Sequence, residues 1–123
     1  MNRTITALLL ALSSFVNAQQ VITKTYTIAP HTSLEGADLS GEDLSNLNLS
    51  FCNLVRANLS GAVLHGANLE GTIMQGANLE GANLEGANLS NAQLIDTNFL
   101  GTNLSGVKFS HSSLTYANLI QVN

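Results

Sequence analysis

The sequence is poor in the residues on which most chemical sites depend. Its 123 residues include one cysteine, three histidines and no tryptophan, and only 10% of them are charged. The single cysteine, Cys52, cannot form an internal disulfide, so the chain is no disulfide-stabilised scaffold. His31, His65 and His111 are far apart in the sequence, whereas a metal site or a catalytic triad needs such groups to converge. These absences argue against a metal centre and against an enzyme.

A five-residue repeat dominates what remains, and it runs without insertion from Thr32 to Gln121. Each of the 18 units is centred on a large apolar residue; a small residue, usually alanine, stands two positions before it. All 10 glycines of the chain stand two positions after a centre. The centres are Leu34, Leu39, Leu44, Leu49, Leu54, Leu59, Leu64, Leu69, Met74, Leu79, Leu84, Leu89, Leu94, Phe99, Leu104, Phe109, Leu114 and Leu119.

This period fits neither a helix nor a flat strand. In an α-helix each step of five residues turns the side chain by about 140°, and in a strand an odd period moves it to the other face. The chain must therefore turn once per repeat, and glycine at the corner can adopt positive φ without a Cβ penalty. We expect the small residue and the leucine to point inward. The asparagine or aspartate before most centres points outward, where stacked amides can hydrogen-bond to the next coil or to the local backbone.

Units such as Ala77-Asn78-Leu79-Glu80-Gly81 resemble the A-(D/N)-L-x-x motif of the pentapeptide-repeat family, over about three quarters of the chain. The resemblance implies an all-β fold, a right-handed quadrilateral parallel β-helix (β-solenoid) with four repeats per coil. The 18 units then make about four and a half coils. At the ~4.8 Å spacing of hydrogen-bonded strands, the rod is roughly 22 Å long. Its stability must come from the stacking of coils, because one coil buries too little apolar surface to fold alone.

No catalytic, cofactor-binding or metal-binding residues are predicted. Four repeats per coil send Glu70, Glu80 and Glu85 to three different sides, which argues against a paired-carboxylate site. The glycines form no phosphate loop, because their spacing is uniform and no Gly-Lys-Ser/Thr follows them. Cys52 occupies the small inward position, and we expect a buried, inert thiol there.

Residues 1–18 have the features of a secretory signal peptide. Arg3 precedes an apolar stretch from Ile5 to Val16, and Val16-Asn17-Ala18 resembles a cleavage site. The alternative, a buried or membrane-bound helix, is disfavoured because the stretch is too short to span a bilayer. We expect an exported mature chain in the periplasm or the extracellular space, without membrane attachment. If the source is a cyanobacterium, similarity to exported family members adds the thylakoid lumen.

The mature chain is predicted to have two parts. Residues 19–31 are β-branched and alternating, and we interpret them as an extended cap over the first coil of the β-helix, which comprises residues 32–123. At the other end the apolar Ile120 and Val122 have no covering segment in this sequence. We expect end-to-end homodimerisation through the C-terminal coil. The alternative is that the final residues fold over their own end.

One side of the solenoid stands out by its apolar surface residues. With every fourth unit on one side, Val55, Ile73, Ile95 and Tyr116 share that side in successive coils, and we expect Leu100 and Ile120 to extend the stripe around the neighbouring corner. Aligned apolar residues on a rigid surface suit an unknown protein partner. The alternative is that tolerant surface positions have drifted.

The favoured function is that of an exported, non-catalytic structural or protein-interaction module. The alternative comes from the resemblance, since some family members mimic duplex DNA and bind DNA gyrase. A mimic of ~22 Å would need about thirteen aligned negative charges. The chain has only 8 acids, so no nucleic-acid-like role and no nucleic-acid partner are expected. Ice binding is disfavoured because Thr72, Thr97 and Thr102 occupy inward positions instead of an outward rank.

Overall fold

The repeats form a four-sided parallel β-helix. The structure is a computed structural model that describes residues 3–10 and 21–123. Parallel bridges join residues one coil apart, from Ser33 with Asn53 at one end to Asn98 with Asn118 at the other. The bridged residues are 20 positions apart in the sequence, so four repeats make one coil, as predicted.

The four sides and the successive coils provide a frame for every residue. Coils 1 to 4 comprise residues 32–51, 52–71, 72–91 and 92–111, and residues 112–123 begin a fifth. The central residues are Leu34, Leu54, Met74, Leu94 and Leu114 on side I; Leu39, Leu59, Leu79, Phe99 and Leu119 on side II; Leu44, Leu64, Leu84 and Leu104 on side III; and Leu49, Leu69, Leu89 and Phe109 on side IV. Within each repeat the residue before the centre faces outward, and the two residues after the centre form the corner to the next side.

Backbone hydrogen bonds connect each coil to its neighbours and also close the corners. The Leu54 N–H donates to the carbonyl of Ile73 in the next coil (2.7 Å), and the Asn53 N–H donates to the carbonyl of Thr32 in the preceding coil (3.0 Å). At the corner, the Ala57 N–H donates to the Leu54 carbonyl (3.0 Å), which closes a β-turn. Since this pattern recurs along the solenoid, backbone groups are satisfied mainly between coils.

Every corner residue two positions after a centre has positive φ. The ten glycines confirm the predicted corner, with φ between 61° and 68°. The other eight repeats have a different residue at this corner, with φ between 54° and 61°, among them Phe51, Arg56 and Tyr116. Such a conformation costs an ordinary residue roughly 1–2 kcal/mol. The coil geometry thus imposes the corner conformation even where the local sequence does not favour it.

The interior is filled by the central residues and the small residues two positions before them. From Leu34 to Phe99 the centres are fully buried, and the alanines of coils 2 to 4 are buried beside them. Three threonines replace alanine inside and each donates to a backbone carbonyl; the Thr97 hydroxyl donates to Met74 (2.9 Å) and the Thr102 hydroxyl to Leu79 (2.7 Å). Among the described residues no buried side-chain polar atom lacks a partner.

Asparagine ladders run along three of the sides. On side II each asparagine amide donates to the side-chain oxygen one coil before it, in the order Asp38, Asn58, Asn78, Asn98 and Asn118, over 2.9–3.5 Å. Asn48, Asn68 and Asn88 form the ladder of side IV, and Asn103 donates to Asn83 on side III. The same side chains accept local backbone N–H groups, for example Asn98 from Leu100 (3.1 Å). Both predicted uses of the asparagines occur.

The N-terminal region contains two strands that pair antiparallel. Strand β1 (Arg3–Leu10) and strand β2 (Val21–Ile28) pair so that Arg3 lies opposite Ile28 and Leu10 opposite Val21. Ile28 is buried in the core, and the backbone N–H of Asp38 in coil 1 donates to the hydroxyl of Tyr26 (3.3 Å). The proposed cleavage site at residues 16–18 lies outside the described residues, so the division into signal peptide and cap stays a prediction.

The C-terminal end of the solenoid, from Leu104 onward, is less buried than the coils before it. Leu104, Phe109 and Leu114 are half-buried, and Leu119 is 44% exposed. None of the described residues belongs to a helix with the length and apolar character needed to cross a bilayer.

Candidate protein-binding surface

Within the described part of the chain, no group of histidine, cysteine and acidic residues could hold a metal ion. The Cys52 thiol is fully buried and donates to the carbonyl of Ala29 (3.0 Å). Burial raises the pKa of this thiol, which disfavours the thiolate that a nucleophile needs. The prediction of a buried Cys52 is confirmed, and the surface is the part of the solenoid left for recognition.

Side I differs from the other sides because its outward position carries no asparagine ladder. The residues before its centres are Ser33, Asn53, Ile73, Gln93 and Ser113. The backbone of Ile73 forms parallel β-bridges with Asn53 and Gln93. Its apolar side chain cannot form a hydrogen bond with either of them. It is also 37% exposed, which is unusual for isoleucine. The Asn53 amide donates to Glu35 of coil 1 (3.4 Å), but the Ile73 side chain makes no such bond between coils.

The apolar residues predicted on this side form a staggered pattern. Val55 and Ile95 occupy the same corner position in coils 2 and 4, with Gln75 between them, and both are half-buried. Ile73 lies in coil 3 between those levels, two positions across the side. Tyr116, at the corner of coil 5, is 83% exposed. The structure thus places these four residues on one side and its corner, with polar residues between them.

Leu100 and Ile120 lie elsewhere. The Gly81 and Gly101 N–H groups donate to the Leu100 and Ile120 carbonyls, so both residues occupy successive levels at the corner between sides II and III. The side II ladder, which includes Asn98 and Asn118, stands between them and side I. They form a second, smaller apolar pair and do not continue the stripe.

Charged corner residues frame the apolar residues of side I. Arg56 follows Val55 in coil 2 and Asp96 follows Ile95 in coil 4, so the two opposite charges flank Gly76 at the same corner. The Arg56 side chain already lies close to this bare corner, since a Cβ on Gly76 would contact its Cγ at 3.6 Å. The sequence analysis does not predict this pair, although the spacing of forty residues, two coils, is visible in the sequence.

A further unpredicted feature lies at the corner between sides IV and I. The rings of His31 and Phe51 stack in parallel, with centroids 5.1 Å apart and an interplanar angle of 8°. The Phe51 ring also lies over Gly71, where a Cβ would clash with it. The 20-residue spacing of these three corner residues could have predicted the stack once the coil length was known.

Comparison with known proteins supports the fold described above. The sequence profile of pentapeptide repeats matches in 8 copies, which together extend from residue 43 to residue 123. No curated protein sequence matches the chain significantly.

Three solved structures illustrate the range of likeness. The pentapeptide repeat protein alr5209 of Nostoc PCC 7120 is 29% identical, with a TM-score of 0.65 over 76% of this chain and 86% of that one. Rfr23 of the cyanobacterium Cyanothece 51142 is 37% identical, with a TM-score of 0.37 over 70% of this chain and 60% of that one. QnrB1, a plasmid-mediated fluoroquinolone resistance protein, is 17% identical, with a TM-score of 0.40 over 76% and 65%. The alr5209 match identifies the fold as a right-handed quadrilateral β-helix.

Proposed function

This chain belongs to the pentapeptide-repeat family, and from that premise we propose that it is an exported, non-catalytic module that binds another protein. The observation that carries the proposal is the filled interior. Because the central residues from Leu34 to Phe99 and the alanines beside them fill the inside without exposure, recognition is left to the outer sides and the ends.

Side I is the surface best suited to this role. It combines exposed Ile73 with half-buried Val55 and Ile95, and its outward positions lack the ladders of the other sides. Rigid apolar groups lose little conformational entropy on binding, which favours a protein contact over a small-molecule site.

Affinity capture tests the binding surface. The variant with Ile73→Glu and Ile95→Glu is expected to lose a protein that the wild-type chain captures, because charges would have to be desolvated in the contact. The control is Val63→Glu, since Val63 has the same repeat position on side III and the same 37% exposure as Ile73. Equal capture by wild type, the double variant and the control would remove side I from the proposal.

Export is supported by the sequence of residues 1–18. N-terminal sequencing of the native protein from fractionated cells is expected to find a chain that begins near Gln19 in an exported fraction. A native chain that retains residues 1–18 in the cytoplasm would contradict this part of the proposal.

A second copy at the C-terminal coil is also proposed as a partner. The half-buried Leu104, Phe109 and Leu114 and the 44% exposed Leu119 supply the apolar surface that such a contact would cover. Light scattering at tens of micromolar is expected to give the mass of a dimer, and a monomer there would count against it.

The charge distribution disfavours the gyrase-binding alternative. Glu80, Glu85 and Glu70 lie on sides II, III and IV, whereas a duplex mimic of this length needs about thirteen aligned charges. We expect the mature chain to leave gyrase supercoiling unchanged.

A further inference from the structure

Side I is self-complementary when it is turned about coil 3. Consider a two-fold axis that runs across this side, parallel to its strand at the level of Ile73. It brings a second copy face to face with the first, with the solenoid axes antiparallel. Coil 2 of one copy then faces coil 4 of the other, and coil 3 faces itself.

The apolar residues match under this operation. Val55 in coil 2 and Ile95 in coil 4 occupy the same repeat position, so Val55 of one copy meets Ile95 of the other twice. Ile73 lies beside the axis and meets Ile73 of the second copy. Apolar residues thus face apolar residues, and Gln75, which lies between Val55 and Ile95, faces Gln75 of the second copy.

The charges match as well. Arg56 and Asp96 occupy the same corner position in coils 2 and 4, so each arginine faces the aspartate of the second copy. Gly76 lies between them at the level of the axis and leaves room for the long arginine side chain. Asn53 and Gln93 form the corresponding amide pair at the outward position.

The outermost coils and the far rim follow the same symmetry. The exposed Tyr116 ring faces Gly36, where no atom lies within 4 Å of the missing Cβ. At the opposite rim Glu70 meets Glu70 of the second copy, the one like-charge contact of this arrangement. The arrangement therefore has two opposite-charge pairs and one like-charge pair.

The other sides do not show this match. On side II the equivalent axis places Glu80 opposite Glu80 of the second copy, and a continuous asparagine ladder occupies the outward positions of this side. On side III it sets apolar Val63 against polar Asn103. Side IV carries the ladder of Asn48, Asn68 and Asn88 across its outward positions.

We propose that the occupant of side I is a second copy of this chain, bound antiparallel about the two-fold axis at Ile73. This inference rests on the proposed protein-binding role of side I and names the partner. A side of five coils with the width of one repeat covers on the order of 400 Å² per copy. That is about half of a standard interface, so the dissociation constant is expected at about 0.1–1 mM for isolated chains.

Charge exchange at the corner provides the first test. In sedimentation velocity over a concentration series, wild type is expected to dimerise, and Arg56→Glu or Asp96→Arg to weaken the dimer about tenfold. The double variant restores opposite charges in exchanged positions and is expected to return to within about threefold of wild type. Glu70→Gln is expected to strengthen the dimer, because it removes the like-charge contact. If none of the four variants changes the dissociation constant of the dimer, the proposal is overturned.

Cysteine cross-linking provides the second test and reports the register. With a short bifunctional maleimide, Ile73→Cys is expected to give a dimer, whereas the equally exposed Val63→Cys on side III gives none. Val55→Cys and Ile95→Cys are expected to cross-link when mixed but not singly. The wild-type chain is expected to give no cross-linked dimer and serves as the blank, because its single cysteine, Cys52, is fully buried. Cross-linking of Val63→Cys at the rate of Ile73→Cys contradicts the assignment.

The outcomes separate this inference from the broader proposed function. If side I binds a different protein, the charged Ile73 and Ile95 variant loses that protein while no Ile73→Cys dimer forms; the inference then fails and the proposed function stands. A dimer through the C-terminal coil uses a different surface and would be insensitive to the Arg56 and Asp96 exchanges. If that insensitive dimer forms and Ile73→Cys gives no cross-link, the side I inference fails and the C-terminal contact stands. If capture and self-association are both unaffected by changes on side I, both proposals fail.

Discussion

Corner residues experience the greatest local conformational demand in this fold. The second residue of each corner has positive φ, and in coils 2 and 3 the available space differs from corner to corner. At Gly81 a Cβ would meet no atom within 4 Å, whereas at Gly71 it would clash with the Phe51 ring. The same substitution therefore probes conformation alone at one corner and conformation plus packing at the other.

We expect Gly71→Ala to destabilise the protein more than Gly81→Ala. Both variants bear the roughly 1–2 kcal/mol cost of a Cβ at positive φ. Gly71→Ala must also displace Phe51 from its stack on His31, for about 1 kcal/mol more. Urea unfolding of the two variants measures the difference. In a Phe51→Ser background the two alanine variants should become equal, and a persistent difference would rule out the ring as its cause.

Asp38 begins the side II ladder, and its carboxylate makes stability depend on pH. The hydrogen bond from the Ser40 hydroxyl (2.7 Å) is the main cause that lowers the pKa of Asp38 from its ordinary 3.8. The Ser40 N–H and, less strongly, the Asn58 amide also lower it, while desolvation opposes them. Because folding favours the charged form, this contribution to stability is present above pH 3.8 and is lost as the pH falls through the lower folded pKa.

The variant Asp38→Asn tests that contribution. An asparagine still accepts hydrogen bonds at this position but does not titrate, so the loss of stability below pH 3.8 should be smaller than in wild type. Urea unfolding between neutral pH and that range measures the slope. The same acid slope in both proteins would show that Asp38 makes no such contribution.

At the scale of the repeat, the sequence predicts the interior better than the corners. Alternation of a small residue with Leu39 or Leu59 identifies the inward positions, because only inward burial explains an unbroken five-residue period. Phe51 and Arg56 give no local signal for positive φ, since that conformation is imposed by hydrogen bonds to neighbouring coils. Four repeats per coil came from the family resemblance, because the period alone does not determine the number of sides.

The candidate site was predictable only as far as the assignment of sides. That assignment placed Val55, Ile73 and Ile95 together, as the structure does. The assignment of sides does not separate Leu100 from Val55, Ile73 and Ile95. Whether a corner residue lies before or beyond a ladder depends on which residues of each repeat form the turn. The match of Arg56 with Asp96 required the actual levels of the coils.

The ladder is the element that distinguishes otherwise equivalent sides, and its contribution can be measured. Asn98 donates to Asn78 (3.0 Å) and accepts from Asn118 (2.9 Å) and from the Leu100 N–H (3.1 Å). We expect Asn98→Ala to lower the free energy of unfolding by about 2 kcal/mol, because three bonds are lost at a half-exposed position. Gln93→Ala is the control, since Gln93 has the same position in coil 4 on side I and makes none of these bonds. It should change stability by less than about 0.5 kcal/mol.

For the whole molecule, the repeat length should determine which deletions the fold accepts. Removal of residues 77–81 deletes one unit and joins Gly76 to Ala82, so every later leucine remains inward on a shorter solenoid. Removal of residues 77–80 instead shifts all later residues by one position and turns the Leu84 and Leu89 side chains away from the core. We expect the five-residue deletion to unfold cooperatively in urea and the four-residue deletion to lose cooperative unfolding.

The five-residue deletion also separates folding from the proposed contact between copies. It moves Leu94, with Ile95 and Asp96, from side I to side IV, while Val55 and Ile73 stay in place. Leu100 and Gly101 then take the places of Ile95 and Asp96 on side I, so Arg56 loses its opposite charge and self-association should weaken although the β-helix persists. Deletion of residues 102–106 is the matched control, because it also removes one unit but leaves Val55, Ile73 and residues 94–96 on side I. If both deletions retained the wild-type sedimentation behaviour, the arrangement of side I would have no part in association, since only the order of the sides differs between them.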